Sequence, residues 1–287
     1  MIEQPIATKK RTREIQEKYQ AQTKKSFGQN FIVEPGVVDK IAKAACGNEG
    51  ASVIEIGPGI GALTQYLCEY APEVVAYEID PRFPPILEKE IDSDHLKVIL
   101  QDFLETDVDK VLEDFEKQNK KVRFAGNLPY YITTPILFKL FEATHPVDAI
   151  TVMMQKEVAD RFAARPSSKE YNALSVITQY RTDIKKIMDV NRNVFWPSPN
   201  VGSSVLQFTF KNDHPIPVEQ EKEFFELVKA CFTQRRKTIY NNLQEYMKDK
   251  EAASAILEKA GIPLNTRAQQ LELSDFIRLF EVMKDED

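Results

Sequence analysis

Three of the ten glycines in this chain fall within five residues, Gly57, Gly59 and Gly61, inside Val-Ile-Glu-Ile-Gly-Pro-Gly-Ile-Gly-Ala-Leu-Thr. A β-type apolar run leads into them and a helical pattern leads out. In a strand–turn–helix unit, glycine lets the backbone turn tightly while a ligand lies against it. Gly57, Gly59 and Ala62 fit the G-x-G-x-x-G/A dinucleotide pattern, and the acidic Glu78 stands about 20 residues on. The pattern alone does not separate a nicotinamide dinucleotide from other adenosyl ligands. A glycine turn of purely structural purpose is the bland alternative.

The spacing of the downstream runs narrows the fold. Short β-type runs at 52–56, 74–78, 97–101, 123–125, 149–153 and 204–210 alternate with segments of helical periodicity, such as Leu63, Tyr66 and Leu67, or Ile136, Leu137, Leu140 and Phe141. Such alternation predicts parallel βαβ units in a doubly wound α/β sheet. Stricter alternation over 205–210 predicts an antiparallel edge strand. Residues 211–217, Lys-Asn-Asp-His-Pro-Ile-Pro, read as a polar, proline-broken hinge. Beyond it the pattern is helical only, with Phe224, Val228 and Cys231 on one face and Ile256, Leu257, Phe276, Leu279 and Phe280 on others. The expected organisation is a basic N-terminal extension over 1–23, an α/β domain over 24–211 and a small helical domain over 212–287.

Gly57, Glu78, Asp102 and Asn127 are 21, 24 and 25 residues apart, about one βα unit each, and each stands at or just past the C-terminal end of a predicted strand. That edge is where open α/β sheets bind ligands. From there Glu78 can chelate two ribose hydroxyls, and Asp102 can accept from an exocyclic adenine amine. Either carboxylate taken singly could instead be a helix cap.

Composition excludes several classes. The 287 residues are 43% hydrophobic and 29% charged, enough apolar matter for a sizeable core. No apolar run approaches the ~20 residues of a membrane helix, and no apolar stretch follows Lys9, Lys10, Arg11 and Arg13 as a secretory signal requires. Cys46, Cys68 and Cys231 are scattered and the three histidines lie in unrelated contexts, so neither a disulfide framework nor a metal site is expected. A soluble, cytoplasmic protein is expected, and a monomer, since no coiled-coil heptad is visible. The net charge of -6 argues against a nucleic-acid partner, but it averages over an uneven distribution. Residues 1–25 hold seven Lys/Arg against three Glu, and Lys229, Arg235, Arg236 and Lys237 lie in an acid-free stretch. A solvated face is the alternative reading of each cluster.

The deciding segment is Gly126-Asn127-Leu128-Pro129-Tyr130, directly after the fourth predicted strand. It offers an amide carbonyl on Asn127, a backbone carbonyl on Leu128 held by Pro129, and an aromatic face on Tyr130. An exocyclic amino nitrogen has its lone pair delocalised into the base ring and is a poor nucleophile. Two carbonyl acceptors on its N–H groups would hold it pyramidal and turn the lone pair toward an electrophile. Tyr130 could stack on the extruded base, a contact worth roughly 1–3 kcal/mol. Catalysis would then rest on orientation rather than on a perturbed pKa.

On these residues the chain resembles the adenosine dimethyltransferases of small-subunit ribosomal RNA, which use S-adenosylmethionine. The likeness covers nearly the whole chain after residue 23. Residues 24–32 look like the family's opening motif, which implies that Asn30 and the backbone at Ile32 reach the cofactor. Residues 55–64 look like its glycine-rich loop, with Gly57 and Gly59 at the cofactor, which the resemblance implies Asn127 also reaches. Glu78 falls at the family's ribose position, Asp102 at its adenine position, and residues 127–130 at its catalytic N-L-P-Y. Residues 153–161 and 195–203 match further blocks, and Phe195 would be a second stacking surface for the target base. Residues 232–243 and 267–276 resemble the family's RNA-facing region and final helices, which implies that Arg235, Arg236 and Lys237 contact phosphate. Asn172, Asn200 and Gly202 depart from the family pattern, away from the implied cofactor and acceptor groups.

The resemblance implies a Rossmann-like class I methyltransferase sheet, mostly parallel with an antiparallel edge strand, plus a small all-helical C-terminal domain. It implies dimethylation of N6 of two adjacent adenosines near the 3′ end of 16S rRNA, in an immature 30S subunit late in assembly. The product would be S-adenosylhomocysteine, and no metal or membrane is involved. Three other readings remain. A macrolide-resistance methyltransferase of 23S rRNA shares the glycine loop but more often has N-I-P-Y and lacks a Gln-Arg-Arg-Lys-Thr block. A non-catalytic ribosome-assembly factor would use the same RNA contacts. A nicotinamide dehydrogenase rests on Gly57, Gly59 and Ala62 and leaves residues 127–130 unexplained. The extension over 1–23 could be an RNA-binding arm or a disordered tail.

Overall fold

The computed structural model describes residues 2–24, 28–48 and 50–285. Its strands are β1 (Phe31–Ile32), β2 (Ser52–Ile56), β3 (Val74–Glu78), β4 (Leu96–Leu100), β5 (Val122–Asn127), β6 (Ala149–Gln155), β7 (Thr182–Val190), β8 (Phe195–Trp196) and β9 (Ser203–Phe210). Between and around them run α1 (Lys9–Lys18), α2 (Pro35–Cys46), α3 (Thr64–Tyr70), α4 (Pro84–Glu90), α5 (Val108–Glu116), α6 (Thr133–Phe141), α7 (Lys156–Phe162) and α8 (Ala173–Arg181). The C-terminal helices are α9 (Glu221–Cys231), α10 (Ile239–Met247), α11 (Lys250–Lys259) and α12 (Leu273–Lys284).

A seven-stranded sheet has the order β4-β3-β2-β5-β6-β9-β7. β2 pairs in parallel with β3 and β5, β3 with β4, and β5 with β6, while β9 runs antiparallel to β6. Every residue of β2 and of β3 is buried, as expected of parallel strands covered on both faces. The order reverses between β2 and β5, so the loops after those strands diverge and leave a crevice at their C-terminal ends. The mostly parallel α/β sheet with an antiparallel partner near one end is the architecture that the strand pattern predicts. One detail differs: β7 lies outside β9 as the terminal strand.

The chain forms two compact units, residues 1–159 with 184–210, and residues 160–183 with 211–287. The hinge over 211–217 falls where the second unit resumes. The segment 160–183, expected in the α/β domain, belongs instead with the C-terminal helices. Its ties are specific: Arg181 pairs with the buried Glu221 at 2.6 Å, the Tyr180 hydroxyl donates to the same carboxylate, and Tyr171 meets Phe232 edge-on. Phe224 and Phe280 continue that aromatic core. Asn172, one of the departures from the family pattern, is the N-cap of α8, accepting from Leu174 N–H at 2.8 Å in a capping box with Ser175.

The described residues of the 1–23 extension are not a loose tail. α1 buries Thr12, Ile15 and Gln16, and Ile6, Ala7 and Ala21 join the same core as α2, α3 and the glycine loop. Glu90 collects Arg11, Lys18 and the Tyr19 hydroxyl, and Ile6 N–H donates to the Gln65 side chain.

Candidate active site

The turn from β2 into α3 needs left-handed backbone, and glycine supplies it. Gly57 has φ +69 and Gly59 φ +58, a region that side chains with a Cβ enter only at a cost. A Cβ on Gly57 would stand in open space, whereas one on Gly59 would press on Phe31 at 3.1 Å. Gly57 is thus required by its backbone conformation rather than by packing, and it faces open space.

That space is a cavity of about 330 Å³ at the C-terminal edge of the sheet. Its lining includes Asn30, Ile32, Gly57, Gly59, Glu78, Asp102, Asn127, Leu128, Pro129, Tyr130 and Phe195. Every cofactor and catalytic residue named from the sequence therefore lines one pocket. Lys25, Ser26 and Phe27 of the opening motif lie outside the described residues. The short β1–β8 ladder closes one wall, pairing Ile32 with Phe195 and Phe31 with Trp196.

The Glu78 carboxylate accepts from Gly59 N–H at 3.0 Å and from Asp80 N–H at 2.8 Å, so it shapes the glycine loop as well as facing the pocket. Burial holds its pKa above the usual carboxylate range, against the lowering effect of those N–H donors. Asp80 behind it is wholly buried. Burial alone would raise its carboxyl, but the Arg82 guanidinium at 2.6 Å and the Gln29 amide bring it down to about 2. This charged clamp ties residue 29 of the opening segment to the end of β3. Asp102 lines the pocket and also caps the following turn, accepting from Leu104 N–H at 2.9 Å. For Asp102 the cap reading is therefore met, and its place in the pocket is compatible with the ligand reading.

Asn127 ends β5. Its Nδ2 donates to the Asn30 carbonyl at 3.1 Å, and because that partner is a pure acceptor, the amide orientation is fixed by chemistry. The Asn127 carbonyl oxygen is thereby left as the group with which this side chain can accept. Asn30 is itself held, its Nδ2 donating to Gly28 O at 3.1 Å. Pro129 O accepts from Ile132 N–H and from the Thr133 hydroxyl at the start of α6. The Tyr130 hydroxyl lies 3.1 Å from the Ser203 hydroxyl on β9, which anchors the ring's edge.

Two pocket residues escaped the sequence reading of the site. Glu55 is 1% exposed in the middle of β2, and its Oε2 has no hydrogen-bond partner among the described residues. Burial pushes its carboxyl up to about 8, and the charge of Glu78 acts in the same direction. The signal was present: a lone acid within Val-Ile-Glu-Ile, a run otherwise suited to full burial. Tyr131, 59% exposed at the pocket's rim, carried no such signal.

Arg235, Arg236 and Lys237 belong to the second unit, exposed in the turn between α9 and α10. Arg235 donates to Gln269 Oε1 and to the Lys169 carbonyl, and Lys237 lies 3.6 Å from Glu245. Among the described residues Arg236 has no such partner.

A Rossmann-like sheet with a crevice of about 330 Å³, lined by an Asn-Leu-Pro-Tyr turn, is the arrangement of a class I methyltransferase. Residues 20–285 match the family model for ribosomal RNA adenine dimethylase. The chain is 46% identical over 278 residues to the ribosomal RNA small subunit methyltransferase A of Oceanobacillus iheyensis, covering 96% of this chain and 95% of the relative. Among solved structures, a dimethyladenosine transferase from Plasmodium falciparum superposes with a TM-score of 0.75 at 26% identity, covering 89% of this chain and 98% of that one. The 23S rRNA methyltransferase ErmE superposes with a TM-score of 0.66 at 24% identity over 88% of this chain and 99% of that one, a likeness of fold alone. The chain belongs to the ribosomal RNA adenine dimethylase family of S-adenosylmethionine-dependent methyltransferases.

Proposed function

We propose that the protein dimethylates N6 of two adjacent adenosines near the 3′ end of 16S rRNA, acting in the cytoplasm on an immature 30S subunit late in its assembly. The observation that carries the chemistry is the fixed amide of Asn127, whose nitrogen is taken by Asn30 and whose oxygen is left to accept. The residues present suit the cofactor. Gly57 faces open space, Glu78 and Asp102 stand along one sheet edge from which they would take the ribose and the adenine, and Glu55 offers an unpartnered oxygen within the same pocket. S-adenosylmethionine supplies an electrophilic methyl group when bound.

The chain's own residues do the rest. The Asn127 and Leu128 carbonyls accept the two N–H bonds of the target adenine's amino group, withdrawing the nitrogen's lone pair from the ring and aiming it across the pocket. Tyr130 and Phe195 sandwich the extruded base, and the Tyr130–Ser203 contact limits the ring's movement. Each transfer leaves S-adenosylhomocysteine and releases one N6 proton to solvent, so after the first methyl one N–H remains for these acceptors and the second transfer relies more on stacking. Arg236 and Lys237 meet RNA phosphates from the second unit.

The test offers isotope-labelled S-adenosylmethionine with undermethylated 30S particles and, separately, with 23S rRNA, and maps modified nucleosides by mass spectrometry. Dimethyladenosine at paired adenosines near the 3′ end of 16S rRNA is the expected result. Label confined to 23S rRNA would move the protein to the resistance type. Tight binding of the particle with no transfer would favour an assembly factor.

A further inference from the structure

α1 breaks a local rule. Lys9, Lys10, Arg11 and Arg13 crowd its first turn or the residue after it, with no acid among the first-turn residues, although the helix dipole favours negative charge there. One of these cations is tied into the fold, Arg11 through the buried Glu90, while Lys10 stays largely in solvent, 4.0 Å from Glu14. Lys9 and Arg13 are exposed, and among the described residues neither meets a carboxylate. One helical turn apart, both instead place their cationic heads over the Trp196 ring, at 4.8 and 4.5 Å from its centroid. Trp196 is joined to Phe195, which lines the pocket, and is paired with Phe31 across the β1–β8 ladder.

From this we infer that α1 is part of the surface on which the substrate RNA docks, with Lys9 and Arg13 gripping backbone phosphates of the strand that delivers its base past Phe195. The inference rests on the reading of the chain as an rRNA methyltransferase. A guanidinium stacked on an indole face keeps its N–H fork edge-on to solvent, the orientation that suits a bidentate phosphate. A chain of net charge -6 repels RNA on average, so approach to the pocket requires positive charge beside it. The helix is a rigid mount, since Ile6, Ala7, Ile15 and Ala21 are buried and Glu90 holds Arg11, Lys18 and Tyr19. Trp196 fixes the two cations relative to the pocket wall and lowers the ordering cost of the contact.

The test compares wild type, the double variant Lys9→Glu/Arg13→Glu, and a comparator with the same charge change far from α1 in sequence, Lys40→Glu/Lys110→Glu. Binding of undermethylated 30S particles is read by sedimentation at several salt concentrations, alongside methyl-transfer kinetics, cofactor affinity and melting temperature. The α1 variant should bind particles at least tenfold more weakly, with a salt slope smaller by about 1.5 for two lost phosphate contacts. Its KM for particles should rise, while its cofactor affinity and kcat at saturating particle stay near wild type. Equal weakening by the comparator, or an unchanged salt slope in the α1 variant, would overturn the inference. The milder pair Lys9→Gln/Arg13→Gln guards against misfolding and should weaken binding in the same direction. Wild-type protein that binds particles without methylating them counts against the proposed reaction, and the binding data still judge this surface.

Discussion

Asn127 and Glu55 share one pocket and illustrate two ways in which a fold sets a side chain's chemistry. Asn127 is controlled by a hydrogen bond: Asn30 takes its nitrogen, so its oxygen is the acceptor. Glu55 is controlled by burial, which pushes its carboxyl to about 8 from 4.5. Between those values the folded chain holds a proton that the unfolded chain has released. Glu55 therefore has its full stabilising effect below about 4.5 and loses it as pH rises to about 8. The ligand-free wild type should become less resistant to denaturant over that window, and Glu55→Gln, which cannot ionise, should show a shallower decline. Denaturation midpoints for both proteins from about pH 5 to about pH 8.5 read the difference, and parallel curves would contradict the assignment. The sequence made Asn127 legible because its neighbours form a recognisable turn. The state of Glu55 was illegible because burial and an orphaned oxygen depend on what β3 and α3 bring around it.

At the scale of elements, the glycine loop separates packing from ligand space. A Cβ on Gly61 would meet Ile91 at 2.7 Å and Leu87 at 2.8 Å, while one on Gly57 meets nothing within 4 Å. Gly61→Ala should therefore act mainly on stability, costing about 1–3 kcal/mol through overpacking and backbone strain. Gly57→Ala should cost about 1 kcal/mol of strain and weaken cofactor binding at least tenfold, because its methyl occupies that open space. Denaturant titration and cofactor binding on both variants would separate the two effects; a Gly57→Ala protein with wild-type cofactor affinity would show that this space is not where the cofactor lies. Strands β2 to β5 could be read from the sequence because each is a mainly apolar run with a candidate site residue at or just past its end. β7 could not, since Thr-Asp-Ile-Lys-Lys-Ile-Met-Asp-Val follows no clean alternation, and β1 and β8, at two residues each, are too short to carry a pattern. α1 was hidden by its cations, which suggested an RNA-binding arm or a disordered tail, while the residues that seat it (Ile6, Ala7, Ile15, Ala21) are too few and too spread to read as an apolar face.

The molecule as a whole forms two compact units that are not consecutive in sequence. Residues 160–183 leave the first unit's chain path and return to it, a crossing that no composition change announces. What marks it is tertiary: the Arg181–Glu221 pair and the Tyr171–Phe232 contact. The basic turn of the second unit is also unequal inside. Arg235 is tied to Gln269 and Lys169, whereas Arg236 is not engaged among the described residues. Arg236→Ala should weaken particle binding severalfold with an unchanged melting temperature, and Arg235→Ala should lower the melting temperature as well. Sedimentation and thermal denaturation on the two variants check this, and identical behaviour would contradict the division of roles.

In the proposed reaction Asn127 orients the target amine as well as tying Asn30 at the cofactor pocket, and the amine is where its loss should be felt most. The most direct test takes one preparation of Asn127→Ala and measures both cofactor affinity and single-turnover methyl transfer to undermethylated 30S particles. Cofactor affinity within a few fold of wild type, with transfer slowed at least about 100-fold, is the predicted result. Transfer at a near-wild-type rate, or loss of cofactor binding in a folded protein, would contradict it.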